Sequence, residues 1–123
     1  MEIIYTKSAP EPVGPYSQAI KVNGFLYCSG AIAINPENNE FIDGDIVEQT
    51  NQVMKNIEAV LTKANYSFND VIKTTCFLDD MKNFGIFNEI YAKHFISKPA
   101  RSCVEAKLPK NAKVEVEVIA YKN

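Results

Sequence analysis

The chain has 123 residues, 46% of them hydrophobic, which fits a single domain spanning 1–123 that buries about two thirds of its unfolded surface. Thirteen basic residues against fifteen acidic ones leave a net charge of -2, and the lysines are scattered, so a nucleic-acid partner held by phosphate neutralisation is not expected. No apolar run approaches the roughly 20 residues a bilayer requires, and the opening MEIIYTKSAP lacks the regions of a secretory signal; the expectation is a soluble, cytoplasmic protein with no membrane partner.

In chain order, EIIYT (2–6) reads as a short strand and the Pro/Gly-rich APEPVGPYS (9–17) as an irregular connection. QAIKV and GFLYCSG follow as two strands separated by Asn23-Gly24, the strongest short hairpin signal. NPENNEFIDGD (35–45) is rich in turn formers and reads as loop. Beyond it Val47, Thr50, Val53, Met54, Ile57, Val60, Leu61 and Ala64 recur at helical spacing, and Asp45 with Glu48 three residues on forms a capping-box pattern. DVIKTTCFL (70–78) is a β-branched strand. NFGIFNEIYAKHF (83–95) is a second helix with Phe84, Phe87, Tyr91 and Phe95 on one stripe, which suits a core face. Pro99 ends the helical region, ARSCVEA (100–106) is a further strand, and the alternation in AKVEVEVIAYK (112–122) marks the last.

That order points to an α+β fold with both helices on one face of a sheet. The other face carries segments too apolar to be fully wet, so an oligomer is expected. Cys28, Cys76 and Cys103 are odd in number and far apart, without CxxC spacing; reduced thiols are the default. With one histidine, His94, no structural metal is expected.

An arginine inside the strand-like KPARSCVEA (98–106) raises the question of its partner, because a buried guanidinium without an anion costs several kcal/mol. Strand alternation puts Arg101, Cys103 and Glu105 on one face and Ser102, Val104 and Ala106 on the other. In the last strand Glu115 and Glu117 point away from a valine row that suits the helices. Arg101 joins the two glutamates if Val104 packs toward the helices, and another strand can lie between these two. Two readings stay open: a surface salt bridge worth about 0 to 1 kcal/mol, or an anion site at a subunit boundary with Glu115 as proton acceptor.

GPYSQA (14–19), SG (29–30), IKTTCFLDDM (72–81), Asn88 within FNEIY and, above all, PARSCVEAKLPKNAKVEVEVIA (99–120) resemble the RidA (YjgF) family of enamine/imine deaminases along essentially the whole chain. The resemblance implies a chorismate-mutase-like fold, a six-stranded mixed sheet with two helices on one face, assembled as a homotrimer with sheets packed inward and sites between subunits. It implies a 2-iminobutanoate/2-iminopropanoate deaminase that hydrolyses reactive 2-imino acids, released by pyridoxal-phosphate dehydratases, to 2-keto acids and ammonia without a cofactor. Arg101 would hold the substrate carboxylate and Glu115 would activate water. Tyr16, Ser29, Gly30 and Cys103 would line the pocket, and Asn88 would reach it from the adjacent subunit. Family members without the arginine are not expected to share the activity. Ala31 and Ala33 stand where the family often has Gln and Pro, which bears on pocket shape. The alternative is a non-catalytic module that binds small carboxylates or acts as a regulator or translation inhibitor.

Overall fold

The structure, a computed structural model, describes residues 1–123. Asn23 and Gly24 both take positive φ, 51° and 84°, the left-handed pair that lets a two-residue turn follow the twist of its strands. They join β2 (Ala19–Val22) to β3 (Phe25–Cys28), and β1 (Glu2–Ile4) adds antiparallel to β2. The first strand stops short of the expected residue 6 because Thr6 N–H leaves the ladder and donates to the Gln18 side chain at 2.8 Å.

Within the expected loop 35–45, a small antiparallel ribbon forms from β4 (Ile34–Asn35) and β5 (Glu40–Phe41). Two-residue strands are too short to show alternation. Their turn is held by Asn39, at φ 56°, whose N–H donates to Asn35 C=O at 2.7 Å.

Helix α1 (Ile46–Lys63) begins at the expected capping box: the Asp45 carboxylate accepts from Glu48 N–H at 2.8 Å, and Glu48 reaches back to Asp45 N–H. Its buried stripe, Val53, Met54, Ile57, Val60 and Leu61, lies over the sheet. Strand β6 (Val71–Leu78) leads into α2 (Phe84–His94), which crosses over to β7 (Ala100–Glu105), parallel to β6. Strand β8 (Val114–Tyr121) then inserts between β3 and β6, antiparallel to both, for a sheet order β1-β2-β3-β8-β6-β7.

One face of this six-stranded mixed sheet meets the helices. Val114, Val116, Val118 and Ala120 pack there with Leu26, Leu78, Phe87 and Phe95, each at most 2% exposed. Burying a large apolar side chain contributes about 1.5–3 kcal/mol, so this layer drives the fold. The opposite face has no helix over it. Ile3, Ile20, Tyr27 and Ile119 lie side by side across four strands on that face, with Ile3 at 61% and Tyr27 at 45% exposure. No helix is long and apolar enough to cross a membrane.

Candidate active site

Arg101 does not share a face with Glu115. In the parallel β6–β7 pairing Arg101 stands beside Thr74, and in the antiparallel β6–β8 pairing Thr74 stands beside Val118. Cross-strand neighbours project to the same side, so Arg101 and Cys103 lie on the helix face with the valine row. Val104 is 45% exposed on the open side with Phe77 and Glu115, so the condition under which Arg101 would join the two glutamates is not met. Strand β6 is the one that lies between β7 and β8.

The guanidinium of Arg101 is half-buried against α2. Its Nη1 donates to Asn88 Oδ1 at 2.7 Å, and its Cζ lies 4.8 Å from the Tyr91 ring centre and 5.4 Å from that of Phe84. Tyr91 is fixed in turn by a 2.8 Å hydrogen bond between its hydroxyl and that of Thr74. Asn88 thus orients Arg101 of its own chain. The one ion pair of the chain joins Lys82 and Asp80, so Arg101 has a neutral partner and no carboxylate. Its remaining donors border a shallow depression of about 500 Å³, beside Lys98 and Pro99.

Cys103, two residues on, is partly exposed; burial pushes its thiol up while the Arg101 charge pulls it down. Its neighbour across the ladder, Cys76, is buried and pushed up to about 12. Neither thiol is set up as a thiolate nucleophile at neutral pH.

On the other side, Tyr16, Ser29, Gly30, Glu115 and Glu117 border a cavity of about 530 Å³. Burial first, and then the charge of Glu117, lift the Glu115 carboxyl above the ordinary range. The carboxylate lies directly over Gly30, where a Cβ would overlap it. The Ser29 hydroxyl donates to Ser17 C=O at 2.6 Å and Ser29 N–H donates to Gln18 C=O at 3.0 Å. Its one proton is thereby committed, and it offers a ligand lone pairs. Tyr16 is 49% exposed; its hydroxyl accepts from Val13 N–H at 3.3 Å and keeps its own proton available.

The wall that carries Tyr16 is a strap, residues 6–16, and Gln18 holds it down. That side chain, 7% exposed, accepts from Thr6 N–H and donates to Thr6 C=O at 3.0 Å and Pro10 C=O at 2.9 Å. Asn39 adds a second tie by accepting from Glu11 N–H at 3.1 Å. Sequence reasoning missed Gln18. The available signal was a long amide between an irregular Pro/Gly segment, whose backbone polar groups need partners, and a strand that starts buried.

Tyr16, Ser29, Gly30 and Glu115 are therefore gathered at one cavity, and Asn88, Arg101 and Cys103 at another face of the sheet. The first set can accept a proton and the second can grip an anion. Within one chain they cannot act on one small molecule.

Residues 6–122 match the family model described as endoribonuclease L-PSP. The chain is 54% identical over 123 residues to a RutC family protein of Pyrococcus horikoshii, covering 98% of each chain. Among solved structures it is similar to RidA of an Antarctic Psychrobacter, with TM-score 0.95, 39% identity and coverage of 99% and 100% of the two chains. It is also similar to TdcF of E. coli, solved with bound serine, with TM-score 0.94, 34% identity and full coverage of both chains.

Proposed function

The chain belongs to the endoribonuclease L-PSP family, the family of the Rid proteins, and on that premise we propose that it is a 2-iminobutanoate/2-iminopropanoate deaminase working as a cytoplasmic homotrimer. The observation that carries the reading is an arginine fork, oriented by Asn88 and two aromatic rings, that has no carboxylate partner in its own chain. A planar guanidinium so held matches a carboxylate through two parallel hydrogen bonds. The serine bound by E. coli TdcF is a ligand of that chemistry.

A second copy of the chain supplies what one copy lacks. The open sheet face bears the exposed row from Ile3 to Ile119, and in this reading three such faces close inward with the Glu115 cavity of one subunit against the Arg101 depression of the next. Arg101 then anchors the substrate carboxylate. Glu115 takes a proton from water, whose oxygen bonds to the imine carbon while the nitrogen is protonated. The resulting carbinolamine breaks its C–N bond, ammonia leaves, and the 2-keto acid remains. The imine is already electrophilic, so positioning plus proton transfer worth roughly 10²- to 10⁴-fold is sufficient, and no cofactor enters these steps.

The test is coupled turnover. A pyridoxal-phosphate serine/threonine dehydratase generates 2-aminoacrylate, and pyruvate appearance is followed with and without the protein. Acceleration at substoichiometric protein, abolished by Glu115→Gln, supports a deaminase. Carboxylate binding without acceleration would leave the non-catalytic module, in which Arg101 recognises a ligand and Glu115 has no chemical task.

A further inference from the structure

Six residues other than glycine take positive φ, between 51° and 65°. Four are asparagines, Asn23, Asn39, Asn65 and Asn111, whose short polar side chain tolerates the left-handed region. The other two are lysines, each at φ 57° and each next to a proline: Lys98 before Pro99, Lys110 after Pro109. A following proline pushes a residue toward extended backbone, so Lys98 departs from its preference twice.

Short turns hold both lysines in place. Lys98 N–H donates to Phe95 C=O at 3.1 Å, and Ala112 N–H donates to Pro109 C=O at 3.0 Å, closing the turn that contains Lys110. A glycine or another asparagine would sit in either turn with less strain, so the turns give no reason for a long cationic side chain. Strain of this kind gathers where ligands are met. Lys98 lines the Arg101 depression and Lys110 lines the Glu115 cavity, one in each half of the site. Both are exposed, and neither ammonium is engaged within the chain. The one ion pair joins Lys82 and Asp80, and the lysines whose Nζ donates a hydrogen bond are Lys73 and Lys122.

The charge balance of the two halves gives these lysines a task. Lys98 and Arg101 line their depression without any carboxylate. The opposite cavity is lined by Glu11, Glu115 and Glu117, with Lys110 as its one cation. Brought together, the halves hold three cations and three carboxylates. Without the lysines, Arg101 alone would face all three carboxylates, and the mouth would repel the anion that Arg101 has to bind.

We infer that Lys98 and Lys110 are capture residues, which draw a carboxylate substrate into the composite site from its two sides while Arg101 fixes the orientation. This rests on the deaminase reading, which brings the two halves together. An ammonium on a flexible stem is a point charge without a planar fork, suited to attraction more than to alignment. Neither lysine moves a proton in the reaction.

The experiment uses four variants of the full chain. Lys98→Asn and Lys110→Asn supply the residue that the chain carries at its other left-handed positions, and Lys98→Arg and Lys110→Arg keep the charge. Binding of 2-oxobutanoate, the keto acid of the proposed reaction, is measured by calorimetry at low and high salt, together with kcat and KM for the imine. At low salt each asparagine variant should bind at least ~5-fold more weakly, with KM raised accordingly and kcat little changed. The two losses should multiply to ~25-fold in the double variant. The arginine variants should stay within ~2-fold of the unaltered protein. Raising salt from about 0.01 M to about 1 M shortens the screening length from about 30 Å to about 3 Å and should shrink every difference to ~2-fold or less. Melting temperatures of the asparagine variants should hold or rise, because the strained turns relax. Equal affinity in the asparagine variants, a loss that persists at high salt, an equal loss in the arginine variants, or no binding of 2-oxobutanoate by the unaltered protein would overturn the inference. If no imine is consumed faster, the deaminase reading falls, and the keto-acid affinities still decide the lysines.

Discussion

Arg101 and Glu115 lie on opposite faces of one sheet, two strands apart across β6. A carboxylate gripped by the first cannot reach the second in the same chain. The protein should therefore sediment as three chains at micromolar concentration, with a monodisperse monomer as the contrary result. A sharper check mixes two inactive variants. Arg101→Ala and Glu115→Gln, unfolded and refolded together in equal amounts, should regain about one quarter of the sites, because some boundaries pair an intact arginine with an intact glutamate. No recovery would place both residues' work within one subunit.

The neutral partner of Arg101 invites a charge test. Asn88→Asp places a carboxylate where Oδ1 now accepts from Nη1, so the fork gains an internal anion that competes with substrate. KM should rise at least ~10-fold with kcat less affected. Arg101→Lys keeps the charge but loses the fork and should cost at least ~10-fold in kcat/KM with little change in melting temperature. Lost stability with specific activity retained would make the arginine scaffold.

The raised Glu115 carboxyl has opposite consequences for stability and for rate. The folded chain holds this proton at a pH where the unfolded chain has released it, so stability falls as pH rises through that interval. Glu115→Gln should raise the melting temperature at neutral pH. Turnover needs the deprotonated form, so kcat/KM should fall on the acid side of the raised value. Glu117→Gln removes the second cause of the shift and should move that acid limb to lower pH; a limb that stays in place would assign it to another group.

Gly30→Ala separates geometry from folding. The added Cβ meets the Glu115 carboxylate, the movable end of a side chain, while Gly30 has no left-handed φ to strain. Glu115 should swing away, with activity down at least ~10-fold and the melting temperature nearly unchanged. A large drop in stability instead would show that the carboxylate cannot yield.

The strap makes a stability prediction. Gln18→Leu leaves the carbonyls of Thr6 and Pro10 without their donor, so a loss of about 1–3 kcal/mol is expected, together with faster proteolysis between residues 6 and 16. Unchanged cleavage would mean that Asn39 and the tyrosine at position 16 hold the strap unaided.

Much of the fold is legible because local signals coincide with it. Asn23-Gly24 closes the hairpin it suggests, Asp45 and Glu48 cap the helix they suggest, and the valines of β8 alternate into the core. The face of Arg101 is not legible in this way. Both rows of β7 mix polar and apolar residues, so alternation groups Arg101 with Cys103 without saying which way they point. That is decided by the register against Thr74, 27 positions earlier in the chain. Gln18 is hidden for a related reason: its partners are carbonyls of an irregular segment, and nothing local tells that they converge on one amide.

The position of β8 also governs how the chain comes off the ribosome. It is the last of the eight strands in chain order, yet it sits in the middle of the sheet, between β3 and β6. Until it has emerged, β1-β2-β3 is a hairpin with an added strand, β6-α2-β7 is a lone crossover, and neither has the valine row against which α1 packs. Units that small, below the roughly 40 residues at which a chain can bury a sufficient core, do not hold on their own. The decisive collapse is thus delayed until translation has passed Tyr121, and until then the nascent chain presents two unfinished sheet edges to the cell's chaperones.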